Sequence, residues 1–431
     1  MGWFLTKIDN SRSVICKGEI IVKIISDANI PFVADCFSSI GEVEIFSGRQ
    51  ITADVVADAD CLLVRSVTRV DSDLLAGSRV RFVGTTTIGF DHIDIEYLVR
   101  NNVGFASAPG SNANSAAEYV VAALLEIGQR YNIRLEGKSI GIVGVGNVGS
   151  RVENKVRALG MKVLLNDPPL QRQEISHRGH REHRETNKKL PADSKPDDIC
   201  EREYLPIEEL YDCDFITLHT PLTFEGIDKT FHLADDKFFE SLKTGCIFIN
   251  TSRGAVVDGS ALKRAIRRGK LAAAVLDVWE DEPNIDVELL EMVDIGTAHI
   301  AGYSLDGKIA GMIMIYKATC KYFGLEAEFD IKDFLPEPDV PQLKIEPNGG
   351  NEQDALRGAI EKIYRISEDD LKLRRILDVP AERRGKFFDD LRNNYPVRRE
   401  FQNTKIEFAT EGTENFSKKL KGIGFKVKSG R

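Results

Sequence analysis

No stretch of this 431-residue sequence is apolar for long enough to cross a bilayer, which takes about twenty residues, so nothing in it reads as a membrane protein. Cysteine is sparse and unpatterned. The seven (Cys16, Cys36, Cys61, Cys200, Cys213, Cys246 and Cys320) are odd in number and include no CxxC pair. That argues against a disulfide framework or a thiolate zinc site and fits a reducing, cytoplasmic setting. A cationic excess is missing too. With a net charge of −9, nonspecific binding to nucleic acid or an acidic membrane is not expected, and an anionic ligand would have to be held by local arginines. The first 22 residues lack the basic start, long apolar core and small-residue cleavage site of a secretory signal; the fold is expected to begin at VKIISDANIP, with 1–22 as a tail.

What is present is ample core, 42% hydrophobic residues, in a chain long enough for two or three domains. From Val22 to about Ser107, short strand-like runs (KIIS, EVEIF, CLLVRS, VRFVGTT, GFASA) alternate with helical stretches, the pattern of a small doubly wound domain. Residues 111–132 read as a long helix opened by polar caps. The stretch after His299, YSLDGKIAGMIMIYKATCKYFG, reads as another that returns to the first domain. The predicted architecture is therefore α/β, with two doubly wound Rossmann-like domains. A discontinuous substrate domain covers 23–110 and 299–328, and a dinucleotide-binding domain covers 111–298. After a proline-rich linker, residues 340–431 carry a strand, two helices and further short strands, an α+β module too small to be robust alone and expected to dock on a second copy of the chain.

One segment departs from this texture. Residues 171–203 are almost purely polar and follow Asp167 directly, which reads as an insertion at the adenosine edge of the nucleotide site. His177, His180 and His183 recur within it at every third residue; on a helix they could hold a metal, but a solvated charged loop is the simpler reading, and no metal is expected.

Two constellations carry chemistry. In the first, an apolar run, Ser139 to Val143, leads into Gly144, Gly146 and Gly149 and then a helical pattern, while the next run, KVLLND, ends at Asp167 about eighteen residues on. The glycines let backbone approach a pyrophosphate at a helix N-terminus, and the carboxylate meets ribose hydroxyls and repels a 2′-phosphate, so NAD is expected. The second is a spaced trio: NTSRG at 250–254, DVWEDEP at 277–283 and HIAG at 299–302. Each follows a strand-like run, so Arg253, Glu282 and His299 should gather near the carboxyl ends of neighbouring parallel strands. An arginine, a glutamate and a histidine there look like a substrate clamp and a proton-transfer pair: His299 can be a base near neutral pH, Glu282 can orient it, and the planar fork of Arg253 can grip an anionic group. Singly, each has a bland explanation: a satisfied histidine, a turn glutamate, a cation opening a helix. His92 and His219 are read as structural.

The loop GIVGVGNVG, LHTPLT at 218–223, NTSRG, DVWEDEP and HIAGYS together resemble the D-2-hydroxyacid dehydrogenase superfamily over roughly residues 23–325. Within it, ISDANIP at 25–31, VRSVTRV at 64–70, TTTIGFDHID at 85–94 and the late NNYPVRREF are similar to the branch that oxidises 4-phosphoerythronate in pyridoxal phosphate synthesis. The resemblance implies Arg253, Glu282 and His299 as active-site residues. It implies Asn147, Val148, Asp167, Thr220, Asp277 and Gly302 as cofactor contacts, and Ser66, Thr87 and Tyr303 as substrate contacts. It also implies a homodimer formed through the terminal module. A phosphorylated substrate needs further cations, for which Arg65 and Arg69 lead, followed by Arg398 or Arg399 from a partner. Two other readings stay open: a sibling dehydrogenase acting on 3-phosphoglycerate, and a non-catalytic, NAD-sensing dimeric protein of corepressor type.

Overall fold

Alternating short apolar runs and helices become parallel sheets in the computed structural model, which describes residues 22–173, 202–346, 351–408 and 414–428. The histidine triplet at 177–183, Cys16 and Cys200 lie outside the described residues. The chain divides into two compact units. The first combines the segment ending at Ser115 with Gly302–Asp339 and Val397–Glu400; the second combines Ala116–Ala301, Val340–Pro396 and the segment from Phe401.

In the first unit, β1 (Val22–Asp27), β2 (Gly41–Phe46), β3 (Cys61–Val64), β4 (Phe82–Thr85) and β5 (Gly104–Ala106) form one parallel sheet in the order β2-β1-β3-β4-β5. Burial on both faces explains why β3 and β4 read as apolar runs rather than alternating ones. Successive side chains leave the sheet on opposite sides. Val22, Ile24, Cys61, Leu63 and Phe82 pack with Ile309, Met312, Ile313 and Tyr316 of the helix Leu305–Phe323, while Ile25, Leu62, Val64 and Val83 pack with Leu74, Leu75 and Leu98. Ser304 caps that helix by accepting from the Gly307 N–H, and Gly324 ends it in the left-handed region.

The second unit carries β6 (Ser139–Val143), β7 (Lys162–Asn166), β8 (Phe215–Leu218), β9 (Cys246–Asn250), β10 (Leu271–Leu276) and β11 (Ile295–Gly296), parallel throughout, in the order β11-β10-β9-β8-β6-β7. The order reverses at β6, between β7 and β8. In open α/β sheets the crevice at the carboxyl ends of such a switch is where ligands bind. The expected α/β class with two doubly wound sheets is thus observed.

The terminal region departs from the sequence reading in its helices. Its strands β12 (Gln342–Ile345), β13 (Lys405–Phe408) and β14 (Lys426–Val427) make a small parallel sheet, but four helices accompany them: Glu352–Glu361, Ile366–Arg374, Ala381–Asn393 and Glu414–Ile423. The sequence reading has two. The helix Ile366–Arg374 is largely charged, and beside buried Ile366 and Leu373 it docks by polar ties. Asp370 accepts from the Gly296 N–H at 2.8 Å, and Arg374 donates to the carbonyls of Leu290 and Val293. The helix Glu414–Ile423 buries Phe416, Leu420 and Ile423 against the helix Asn147–Ala158, about 1.5–3 kcal/mol for each side chain fully buried. The five described cysteines are buried and unpaired. Among the described residues no helix is long and apolar enough to cross a membrane.

Candidate active site

Arg253, Glu282 and His299 follow β9, β10 and β11, three adjacent parallel strands, as their spacing predicts. The loop carrying Arg253 is shaped by Asn250. Its buried side chain accepts from the Ser252 N–H and hydroxyl and donates to the Arg253 carbonyl. Gly254 then lets this loop press on the next: a Cβ there would lie 1.9 Å from the Trp279 carbonyl. Glu282 is fixed from both sides, one oxygen accepting from the Trp279 N–H at 2.8 Å and the other lying 2.7 Å from His299 Nδ1. Burial alone would raise the Glu282 pKa, but the charge and hydrogen bond of His299, with Arg392, hold it below the ordinary carboxylate value. A carboxylate on Nδ1 leaves Nε2 as the free face of the ring for a substrate proton.

His299 has a left-handed backbone, φ 55°, and Asp277 holds it there. The Asp277 carbonyl accepts from the His299 N–H at 2.7 Å, and its carboxylate accepts from the N–H groups of Ile300 and Ala301. That carboxylate is 1% exposed, burial raises its pKa, and it takes a further bond from Thr297 Oγ1, which in turn meets the Tyr119 hydroxyl at 2.7 Å. The family resemblance implies Asp277 as a cofactor contact; in the structure its side chain is engaged in building the histidine turn. Thr297 and Tyr119 are absent from the sequence reading because nothing in their local pattern distinguishes them from core residues.

At the other candidate site, β6 runs into Gly144, which is in the left-handed region at φ 87°; a Cβ there would meet the backbone of His219 and Thr220 at 2.8–2.9 Å. A Cβ on Gly146, by contrast, would meet nothing within 4 Å, and no side chain caps the helix Asn147–Ala158 that starts beside it. Gly149 packs that helix onto the Gly144 carbonyl; Asn147 is exposed and Val148 half-buried. Asp167 ends β7 and ties the loop down, accepting from the Val145 N–H at 2.8 Å and the Leu170 N–H at 3.0 Å. The Thr220 hydroxyl is buried beside this loop with no hydrogen-bond partner among the described residues. Open space at a helix N-terminus, an acid at the next strand end and an orphaned hydroxyl fit a dinucleotide. His219 is structural here: its ring bridges Thr217 and Thr251, and burial pushes its pKa down to about 3.

In the first unit, Arg65 and the exposed Ser66 follow β3, and Thr87 follows β4, with its hydroxyl between Thr85 Oγ1 and the Gly89 carbonyl. Arg65 lies over the Tyr303 ring, 5.5 Å from its centroid, and Lys308 lies over the same ring at 4.7 Å. Gly302 lies against Asn112, so close that a Cβ would collide with its amide. Arg69 is 84% exposed and paired with Asp71. Arg399 forms a buried pair with Asp306 at 2.9 Å, and Arg398 donates to the Ser115 carbonyl, so both arginines sit within this same chain's first unit. Lys308 escapes the sequence reading, since a lysine in a helix's first turn looks like part of a solvated face. Among the described residues no cluster of side chains suited to a metal occurs.

A family model described as "D-isomer specific 2-hydroxyacid dehydrogenase, NAD binding domain" matches residues 112–195 and 183–301, and a domain of unknown function matches 334–424. The chain is 40% identical over 400 residues to the erythronate-4-phosphate dehydrogenase of Cronobacter sakazakii, covering 93% of this chain and 97% of that one. It is 41% identical over 386 residues to the enzyme of the same name from Escherichia coli K12, covering 89% and 94%. Among solved structures, D-lactate dehydrogenase from Aquifex aeolicus, complexed with NAD and lactic acid, superposes with a TM-score of 0.55 at 25% identity, covering 70% of this chain and 96% of that one. The NAD-bound 3-phosphoglycerate dehydrogenase of Entamoeba histolytica shares the fold, with a TM-score of 0.55 at 23% identity over 73% of this chain and all of that one.

Proposed function

The chain belongs to the erythronate-4-phosphate dehydrogenases, within the D-isomer specific 2-hydroxyacid dehydrogenases, and from that premise we propose how its residues oxidise 4-phospho-D-erythronate at C2 to 3-hydroxy-2-oxo-4-phosphobutanoate, on the way to pyridoxal 5′-phosphate. It is an NAD-dependent dehydrogenase. The observation that carries the mechanism is the 2.7 Å bond between Glu282 and His299 at the edge of the sheet that also bears the glycine loop.

NAD, when bound, supplies the hydride acceptor for C2. It is cradled by Gly144, Gly146 and Gly149, with Asn147, Val148 and Thr220 beside the loop and Asp167 on the adenosine ribose; Asp277 and Gly302 complete the proposed contacts. His299 Nε2 removes the C2 hydroxyl proton as the hydride leaves, and Glu282 stabilises the imidazolium so formed. Such base catalysis is typically worth about 10² to 10⁴ in rate. Arg253 holds the carboxylate and polarises the oxygen at C2, which a planar guanidinium does better than a point charge. Ser66, Thr87, Tyr303 and Arg65 are the proposed substrate contacts. Dimerisation through residues 340–431 and a cytoplasmic location belong to the same proposal.

The test is initial-rate NADH formation with 4-phosphoerythronate, 3-phosphoglycerate and D-lactate in parallel. A preference for 4-phosphoerythronate that disappears in His299→Ala is expected. Preference for another acid would keep the mechanism and discard this substrate. NADH binding without turnover on any of the three would favour a sensing role instead.

A further inference from the structure

Three cations approach one another in the first unit, and their setting is not that of a solvated surface. Arg65 follows β3 and its Nη1 donates to the carbonyl of Asn29, which follows β1. Strands β1 and β3 are the pair at which this sheet's order reverses, with β2 on the far side of β1, so Arg65 stands at the position where an open α/β sheet takes its ligand. Lys308 reaches the same place from the first turn of the 19-residue helix Leu305–Phe323, whose N-terminus adds partial positive charge. Both lie over the Tyr303 ring, Lys308 Nζ at 4.7 Å and Arg65 Cζ at 5.5 Å from its centroid. Arg398, 5% exposed, stands close enough to act on Lys308 electrostatically.

Among the described residues no carboxylate pairs with Lys308 or Arg65. Of the two buried acids of this region, Asp306 is engaged with Arg399 and the Glu400 N–H, and Glu400 is bonded to Asn114 and Ser304 and acts electrostatically on Arg398 rather than on Lys308 or Arg65. Burial, reinforced by Arg65 and Arg398, pulls Lys308 down to about 8. Like charges gathered out of water are costly unless an anion compensates them. A carboxylate brings one negative charge, whereas a phosphomonoester brings about 1.5 to 2 at neutral pH together with three acceptor oxygens, enough for two donors at once.

We propose that Lys308 and Arg65, both over the Tyr303 ring and backed by Arg398, form the subsite that binds the substrate's terminal phosphate. This rests on the substrate reading given above and extends it to a residue, Lys308, that neither motif nor spacing marks. Selection for a phosphorylated acid then lies in the first unit.

The NAD-loaded full-length protein and its Lys308→Met variant are to be compared on 4-phosphoerythronate and on erythronate. Loss of a charge-assisted hydrogen bond is expected to lower kcat/KM for the phosphorylated acid about 10- to 100-fold, leave erythronate turnover nearly unchanged, and be largely restored in Lys308→Arg. Arg65→Met should lower kcat/KM for the phosphorylated acid more than for erythronate, and it carries the comparison if the Lys308 variant does not fold. Equal losses on both acids would overturn the proposal. Calorimetric titration with inorganic phosphate separates the subsite from the catalytic reading. A wild-type protein that turns over neither acid, yet binds phosphate in a Lys308-dependent way, would sink the substrate reading and leave the subsite standing. Phosphate bound equally well by wild type and Lys308→Met would remove the subsite whatever the turnover.

Discussion

A histidine at φ 55° sits where L-residues rarely rest, at a cost on the order of 1–3 kcal/mol, and it stays because Asp277 binds the backbone on both sides of the turn. Its partner Glu282 gives a pH signature. A carboxyl whose folded-state pKa is held down binds fewer protons folded than unfolded, so its stabilisation is fully present above the unfolded value and is lost as pH falls through the folded one. The melting-temperature difference between wild type and Glu282→Gln is therefore expected to shrink as pH drops from about 5.5 to about 3.5, across the ordinary glutamate value. A difference that stays constant across that range would mean the pair makes no net contribution. Arg253, Glu282 and His299 were legible in the sequence because each directly follows an apolar run, which fixes its place at a strand end before any packing is known. Asp277 was legible as an acid in a motif but not as the clamp of the histidine turn, since its partners come from residues 297–301 and only the fold brings them in. Lys308 was not legible at all: its meaning lies in the carboxylates that fail to meet it.

Between elements, the decisive feature is how closely the loops after β9 and β10 approach. Replacing Gly254 by alanine would put a methyl 1.9 Å from the Trp279 carbonyl and 2.4 Å from the Glu280 nitrogen, and backbone cannot yield as a flexible side chain would. Overpacking of this kind typically costs about 1–3 kcal/mol. Gly254→Ala is expected to lower the denaturation midpoint accordingly and to reduce kcat more than it weakens NADH binding, because the Arg253 loop shifts while the glycine loop after β6 does not. Unchanged kcat would show that the two loops need not touch. The strands were readable because parallel sheets bury both faces and leave short apolar runs. The helices Ile366–Arg374 and Glu414–Ile423 were not, the first because Asp370 and Arg374 tie it by hydrogen bonds to β11 and to the end of the helix before it, which no periodicity announces.

At the scale of the whole molecule, neither unit is a continuous stretch of chain. The four residues Val397–Glu400 belong to the first unit, where Arg399 pairs with buried Asp306, Glu400 accepts from Ser304 and Asn114, and the Arg398 carbonyl takes the Leu305 N–H. Breaking one partner of a buried pair such as Arg399–Asp306 costs roughly 3–5 kcal/mol. A chain ended after Pro396 is therefore expected to show faster hydrogen exchange in β1 to β5, although no residue of that sheet has been removed; unaltered protection there would mean the segment is dispensable to the first unit. The same threading bears on how the chain is made. Strand β5 is complete at Ala106, but the helix that covers Val22, Ile24 and Phe82, and then the segment that secures this helix, leave the ribosome only by Glu400. At about 5–20 residues per second, the earliest-synthesised sheet waits on the order of tens of seconds with part of one apolar face uncovered, an interval in which the nascent chain is expected to be open to chaperones.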